Sequence, residues 1–513
     1  MRRPALGIAA FLLFFSRPVL GRDSSAPTIT FFGAAGTIFG SCHLLDTGNE
    51  KVLLDCGNFQ EEEGMTAEDA AALNREMPFS PSEIDAVFIT HAHSDHIGKL
   101  PYLVKRGFDG PVYCTPATAE LSKVMLKLYA WLNSMGEGLY DESDAEKALA
   151  RIRTCSEGTA GITGGGTVFT FLEAGHILGS AMVELRWRYR GRDFSLLFTG
   201  DLGNPDSPLL RPTSPLPRVD YLVTESTYGD RRHGNFASEI DTFRNVINET
   251  VSRGGIVLIP SYILSRTQKI IYFLNELIEG DNFDARFDVY VDSDYANRVS
   301  AVYRRYSSLY DDESAALIAA RDWPLSFPGL KERKPGPKLR GPAVVIAPSG
   351  MASVGNITHH LVRELPDSRN SILLVGYQPE GTVGRQLLDG RTTVEIAGQK
   401  VPVRARSYYL GSFSGHPDYE QILAWMGAGE RPGAVFVVHG QPGSSANLAR
   451  LIRERLGVPA LVPERGRTYL LTHPAGSADF DRSAPTGAET EKGPGPTGPE
   501  PLAPRGIEPL SPD

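Results

Sequence analysis

The sequence predicts an α/β protein in which one helix-and-sheet domain is threaded through another. Three patterns carry that prediction. Short β-branched or aromatic runs fill residues 28–224, and most end in Gly, Asp, His or Ser, so polar side chains gather at strand ends. From about Gly234 the chain alternates strictly between helix and strand, as in a parallel sheet with helices on both faces. After residue 404 strand-like runs of the first kind return.

Taken in order, 28–32, 51–55 and 86–90 read as strands, the first leading through turns into hairpins. Helical patterns cover 118–132 and 143–154, and further strands fall at 168–172, 194–199 and 221–224. The inserted part reads helix 236–250, strand 255–260, helix 265–277, strand 287–292, helix 295–305, then strands 343–347 and 371–376. Runs 408–414 and 435–438 read as strands of the outer domain. The expected division is 27–228 and 404–473 for the outer domain, with 229–403 inserted.

The ends differ from the middle. Residues 1–26 begin with Arg2 and Arg3, then an apolar run from Ala5 to Phe15. Two readings fit: a secretory signal followed by export, or a start codon placed too early in a cytoplasmic protein. The run is too short to span a bilayer comfortably, so no stable membrane association is expected. Residues 474–513 hold 9 Pro and 6 Gly, with 7 acidic against 3 basic residues, and read as a disordered tail. The stretch 327–340 is basic, with Lys331, Arg333, Lys334, Lys338 and Arg340; a solvated loop is favoured over a phosphate contact.

Composition sets limits. The 513 residues are 41% apolar and 22% charged, enough for a normal core without disulfides. Four cysteines without a CxxC pair exclude a disulfide scaffold and an all-cysteine zinc ribbon. A formal net charge of −9 argues against a protein coated in nucleic acid, though not against a local phosphate site.

The strongest chemical signal is His91-Ala92-His93-Ser94-Asp95-His96, directly after an apolar strand. Imidazole and carboxylate are the ligands Zn²⁺ takes when no thiolate is present, and Mn²⁺ suits the same atoms. His176, Asp201 and Asp55 also follow apolar runs. Each alone reads as a loop or turn residue. Together they suggest one site at the carboxyl edge of the sheets.

This set resembles the metallo-β-lactamase superfamily: Asp55, then His91/His93/Asp95/His96, then His176, then Asp201. Three further motifs resemble those of the β-CASP nucleases, the group that holds the pre-mRNA 3′-end endonuclease and bacterial RNase J. They are Thr224-Glu225-Ser226-Thr227-Tyr228-Gly229, Ser412-Phe413-Ser414-Gly415-His416-Pro417-Asp418-Tyr419 and Val437-Val438-His439-Gly440. The likeness covers about 28–472 and is closest to short bacterial members with these two domains alone. One departure is Ala352-Ser353-Val354-Gly355-Asn356, where the family usually has a Gly-rich turn.

The resemblance implies an αββα sandwich with an inserted β-CASP α/β domain. It implies two Zn²⁺ per chain, one held by His91, His93 and His176, the other by Asp95, His96 and His439, with Asp201 bridging and Asp55 orienting ligands. His43, His233, His359, His360 and His473 are left unassigned. The implied activity is hydrolysis of single-stranded RNA, endonucleolytic, by a hydroxide held between the metals with Asp95 and Asp201, and with His416 as general acid. A carboxylate such as Glu225 suits an imidazole to that task. Backbone N–H groups at a helix start around Ser349 and Gly350, and the side chain of Arg266, are candidate phosphate contacts. The alternatives are a DNA nuclease, a small ester or thioester hydrolase, and a metal-bearing scaffold without catalysis; a homodimer is compatible with all.

Overall fold

In a computed structural model of the chain, residues 26–471 are described, apart from 137, 281–282, 284–285, 334–338, 377, 379 and 412. The segment 1–25, the tail 474–513, His473 and half of the basic loop lie outside the described residues.

Two seven-stranded sheets build the outer domain. In the first, the order is Thr468–Leu470, Thr28–Phe31, His43–Asp46, Lys51–Leu54, Ala86–Phe88, Val112–Cys114, Ile152–Thr154. Its early strands pair antiparallel, and from Lys51–Leu54 onward the pairing is parallel. In the second, the order is Ala460–Leu461, Ala434–Val437, Tyr221–Thr224, Arg192–Phe198, Ala181–Tyr189, Val168–Glu173, Ala160–Ile162. Along Ala181–Tyr189 the alternation is plain: Leu185, Trp187 and Tyr189 are buried while Arg186 and Arg188 are exposed.

Aromatic rings join the sheets face to face. Phe31 lies 5.0 Å from Phe436, and Phe88 lies 5.0 Å from Phe169. His43 is packed there between Phe31 and Phe198, buried, and pushed down to about 3 by that burial. Helices cover both outer faces: Leu103, Leu126 and Ala148 pack on Val87 and Val112, and Ile422, Met426 and Leu448 pack on Leu222 and Val435. This is the expected αββα sandwich.

The helix expected at 143–154 is shorter. It runs Glu142–Ala150 behind an Asp141 capping box, and Ile152–Thr154 then pairs with Val112–Cys114. A free sheet edge claimed those three residues. The helix expected at 118–132 is longer, Pro116–Met135, because the Thr115 hydroxyl caps it and Pro116 suits the first turn.

The inserted sheet has six parallel strands, in the order Leu330–Glu332, Asp288–Val291, Ala343–Ala347, Ile256–Pro260, Ser371–Val375, Arg406–Leu410. Helices Phe236–Ser252, Arg266–Glu279 and Asp294–Arg305 pack on one face, and Asn356–Glu364 with Val383–Leu388 on the other. Arg406–Leu410 corrects an expectation: this run, assigned to the outer domain, pairs with Ser371–Val375 of the inserted sheet. As an edge strand it is only partly buried, so its pattern resembles that of a two-faced outer strand.

Candidate metal centre

Strand ends deliver the cluster. Ala86–Phe88 leads into His91, and the short helix Ser94–Ile97, with His93 as its N-cap, carries Asp95 and His96. His176, Asp201 and His439 follow Val168–Glu173, Arg192–Phe198 and Ala434–Val437. Ligand atoms of His91, His93, His176 and Asp201 lie within 4.8 Å of one another, and so do those of Asp95, His96 and His439.

Asp201 spans both groups. Its Oδ2 is 3.4 Å from His91 Nε2 and 3.5 Å from His176 Nε2; its Oδ1 is 3.1 Å from His96 Nε2 and 3.4 Å from His439 Nε2. His93 turns Nδ1 inward, 3.0 Å from His91 Nε2 and 3.4 Å from His176 Nε2. Asp95 Oδ2 is 3.4 Å from His439 Nε2.

Most of the outward-facing nitrogens are held. His96 Nδ1 meets Asp55 Oδ2 at 2.6 Å, His176 Nδ1 meets the Gly415 carbonyl at 3.2 Å, and Thr90 and Thr227 hydroxyls meet His91 Nδ1 and His439 Nδ1 at 3.1 Å each. These partners fix ring orientation and aim the other nitrogen inward. Asp55 also accepts from the Thr90 N–H and the Ser41 hydroxyl.

The atoms present fit a divalent cation. Among the described residues the buried Asp201 Oδ1 has no hydrogen bond, and several imidazole nitrogens face one another across about 3 Å. Burial and the neighbouring His96 hold His91 down at about 3, and burial holds His93 at about 4, so both are neutral and able to ligate. Burial alone raises the Asp201 carboxyl, but His439, His96 and His91 outweigh it and hold the group well below the usual range. Nitrogen and oxygen donors without thiolate suit Zn²⁺ or Mn²⁺.

Asp55→Asn keeps the shape and tolerates the left-handed φ of 61° at this position. It is expected to weaken metal affinity about 10- to 100-fold, read by chelator competition. Unchanged affinity would make Asp55 a turn residue only.

Beside the centre, His416 Nδ1 is 3.1 Å from both oxygens of Glu225. Glu225 is buried and also accepts the Leu202 N–H at 2.7 Å. His416 Nδ1 lies 4.0 Å from Asp201 Oδ2. Of the remaining histidines, His233 binds the His416 carbonyl and His360 binds Asp292; none among the described residues joins the metal clusters.

Two phosphate candidates need correction. Ser349 and Gly350 are not at a helix start: the helix begins at Asn356, after a tight turn with positive φ at Ala352 and Gly355. The Ser349 N–H is spent inside that turn, on the Val354 carbonyl. Arg266 does open its helix, Arg266–Glu279, and pairs with no carboxylate among the described residues.

The residues the sequence did not reveal are Thr90, Thr227 and Lys269. Thr90 adjoins the histidine motif and Thr227 lies inside the Thr224–Gly229 motif, which was the available signal. Lys269 is 4% exposed, and its ammonium, without a hydrogen bond among the described residues, sits under Gly415. Burial, then Arg266, push it down to about 7. The unfolded chain keeps that proton up to the ordinary lysine value, so this group makes stability rise with pH between about 7 and 10.5. Lys269→Met is therefore expected to raise the thermal midpoint by several degrees at pH 7 or below, and less at pH 9. An unchanged midpoint at pH 6 would show the ammonium to be paired.

The fold and centre define a metal-dependent hydrolase built on an αββα sandwich. Residues 35–248 match the metallo-beta-lactamase superfamily, 267–387 the Beta-Casp domain, and 400–463 the Zn-dependent metallo-hydrolase RNA specificity domain. The chain is 37% identical over 430 residues to a ribonuclease of Thermus thermophilus, covering 83% of this chain and 95% of that one. It is 32% identical to a transcription termination factor of Methanocaldococcus jannaschii (87% and 72% covered) and to an endoribonuclease of Schizosaccharomyces pombe (82% and 54%). A solved protein of unknown function from Enterococcus faecalis shares the fold, with a TM-score of 0.51 at 15% identity over 87% of this chain and all of the other. The chain belongs to the β-CASP nucleases of the metallo-β-lactamase fold.

Proposed function

We propose that the protein is an endoribonuclease that hydrolyses single-stranded RNA with two Zn²⁺ ions. The observation that carries this reading is the His416–Glu225 pair, 3.1 Å apart and beside the carboxylate that spans both ligand groups. A thioester hydrolase has less need of an acid at that place, because a thiolate leaves without a proton. The ribonuclease names of the bacterial and fungal relatives support RNA as substrate.

His91, His93 and His176 would hold one ion and Asp95, His96 and His439 the other, with Asp201 offering an oxygen to each group. Bound divalent ions supply an acidified water and a clamp for phosphate oxygens. Asp95 and Asp201 would orient the attacking water and take up its proton. Glu225 holds His416 Nδ1, which leaves Nε2 to protonate the leaving oxygen. Among the described residues no helix is long and apolar enough to cross a membrane. Cellular RNA as substrate favours action in the cytoplasm.

The test is incubation of the intact protein with 5′-labelled single-stranded RNA, matched DNA and a thioester, with and without chelator. Chelator-sensitive internal cleavage of RNA is expected. Preference for DNA or for the thioester would overturn the reading.

A further inference from the structure

The carboxyl edge of the inserted sheet carries a second group of side chains that the centre does not use. Four adjacent strands contribute to it. Tyr262 follows Ile256–Pro260, Gly350 follows Ala343–Ala347, Gly376 follows Ser371–Val375, and Tyr409 lies on Arg406–Leu410. In open parallel sheets this edge is where ligands bind.

Arg266 stands in the middle. One guanidinium N–H donates to the Val375 carbonyl at 2.6 Å, and Tyr228, Tyr262 and Tyr409 lie near enough to act on its charge. Glycines back the three side chains. A Cβ at Gly350 would come 2.9 Å from the Tyr262 ring, one at Gly376 2.9 Å from the Arg266 guanidinium, and one at Gly411 3.2 Å from the Tyr409 ring. Glycine at these points thus leaves the three groups room close to the backbone. Yet Tyr262 and Tyr409 remain 43% and 46% exposed, which is unusual for large rings seated so closely.

The charge around them is one-sided. Among the described residues Arg266 has no carboxylate partner, and three residues on, Lys269 is buried with no hydrogen bond to its ammonium. Both sit in the first turn of a 14-residue helix, where the backbone dipole is also positive. Like charges held together without a counter-ion call for an anion. Exposed rings beside an anion site suit a base stacked next to its phosphate. Tyr228 connects the group to the reaction, its ring 6.4 Å from that of His416.

We propose that Tyr262, Arg266 and Tyr409 form a subsite for the nucleotide beside the scissile bond, its base on the tyrosine rings and its phosphate on the guanidinium. The proposal rests on the single-stranded RNA reading. The experiment is steady-state cleavage of a 5′-labelled mixed-sequence RNA by the full chain, at several salt concentrations.

Tyr262→Ala and Tyr409→Ala are each expected to raise KM about 5- to 100-fold with a smaller change in kcat, and the Phe variants to restore it. Arg266→Met is expected to raise KM and to lower the slope of log affinity against log salt by about 0.7, one phosphate contact on a single strand. Metal content and thermal midpoint are compared with the wild type for every variant. If Arg266→Met loses either, the two surface tyrosine variants decide alone. Wild-type KM in both tyrosine alanine variants overturns the subsite while leaving the nuclease reading intact. No RNA cleavage by the wild-type protein overturns the reading, and the subsite with it.

Discussion

Asp201→Ala is expected to strip the protein of most of its bound metal and to reduce RNA cleavage at least about 10³-fold. The reason is that one buried carboxylate serves two clusters, Oδ2 towards His91 and His176 and Oδ1 towards His96 and His439. A carboxylate 4 Å from a unit charge contributes about 4 kcal/mol at an effective dielectric of 20. Two divalent ions would each lose at least that much. Their mutual repulsion would also go unopposed at the midpoint between them. About 4 kcal/mol is close to a 10³-fold change in affinity. The effect should exceed that of Asp55→Asn, since Asp55 acts on the ligands only from outside, through His96 Nδ1 and Thr90. Metal analysis after desalting reads the first quantity and labelled RNA the second. Undiminished metal content in Asp201→Ala would show that the carboxylate does not bridge.

How much of this was legible beforehand depended on how local each feature is. His91, His93, Asp95 and His96 fall in six residues after one strand, so a single turn brings them together and no knowledge of the fold is needed. His439 lies 343 positions from His96, yet the two Nε2 atoms are 3.2 Å apart. Only resemblance to a family motif could propose that meeting. Thr90 carries no pattern of its own, and Thr227 stands in a motif that does not say what its hydroxyl meets; their role appears once the imidazoles have a direction. Arg406–Leu410 was misplaced because an edge strand buries little and so does not announce which sheet it joins. Ser349 and Gly350 were misplaced because the turn through Gly355 delays the helix by several residues. Tyr262, Arg266 and Tyr409 had no joint signature, since sheet order alone brings residues from separate strands to one edge.

His416→Ala is expected to lower kcat about 10²- to 10⁴-fold, the range of general acid–base catalysis, while the bound metal stays. A rival reading exists in the geometry: His416, Glu225 and Asp201 also present ligand atoms within 4.8 Å of one another and could hold an ion themselves. The two readings part on metal content. A general acid is dispensable for metal binding, whereas a ligand is not, so metal loss in His416→Ala would reassign this histidine. Glu225→Gln separates them further. The glutamine keeps the size and can still accept the Leu202 N–H, but it no longer offers His416 a carboxylate. Its expected cost is smaller than that of His416→Ala, because the imidazole remains but is no longer held in one tautomer. The identity of the leaving group gives the sharpest check. An RNA leaving oxygen needs a proton, whereas a p-nitrophenolate does not. The penalty of His416→Ala should therefore shrink about 10-fold or more on a nucleotide p-nitrophenyl ester. An equal penalty on both substrates would mean that His416 positions phosphate instead of donating a proton.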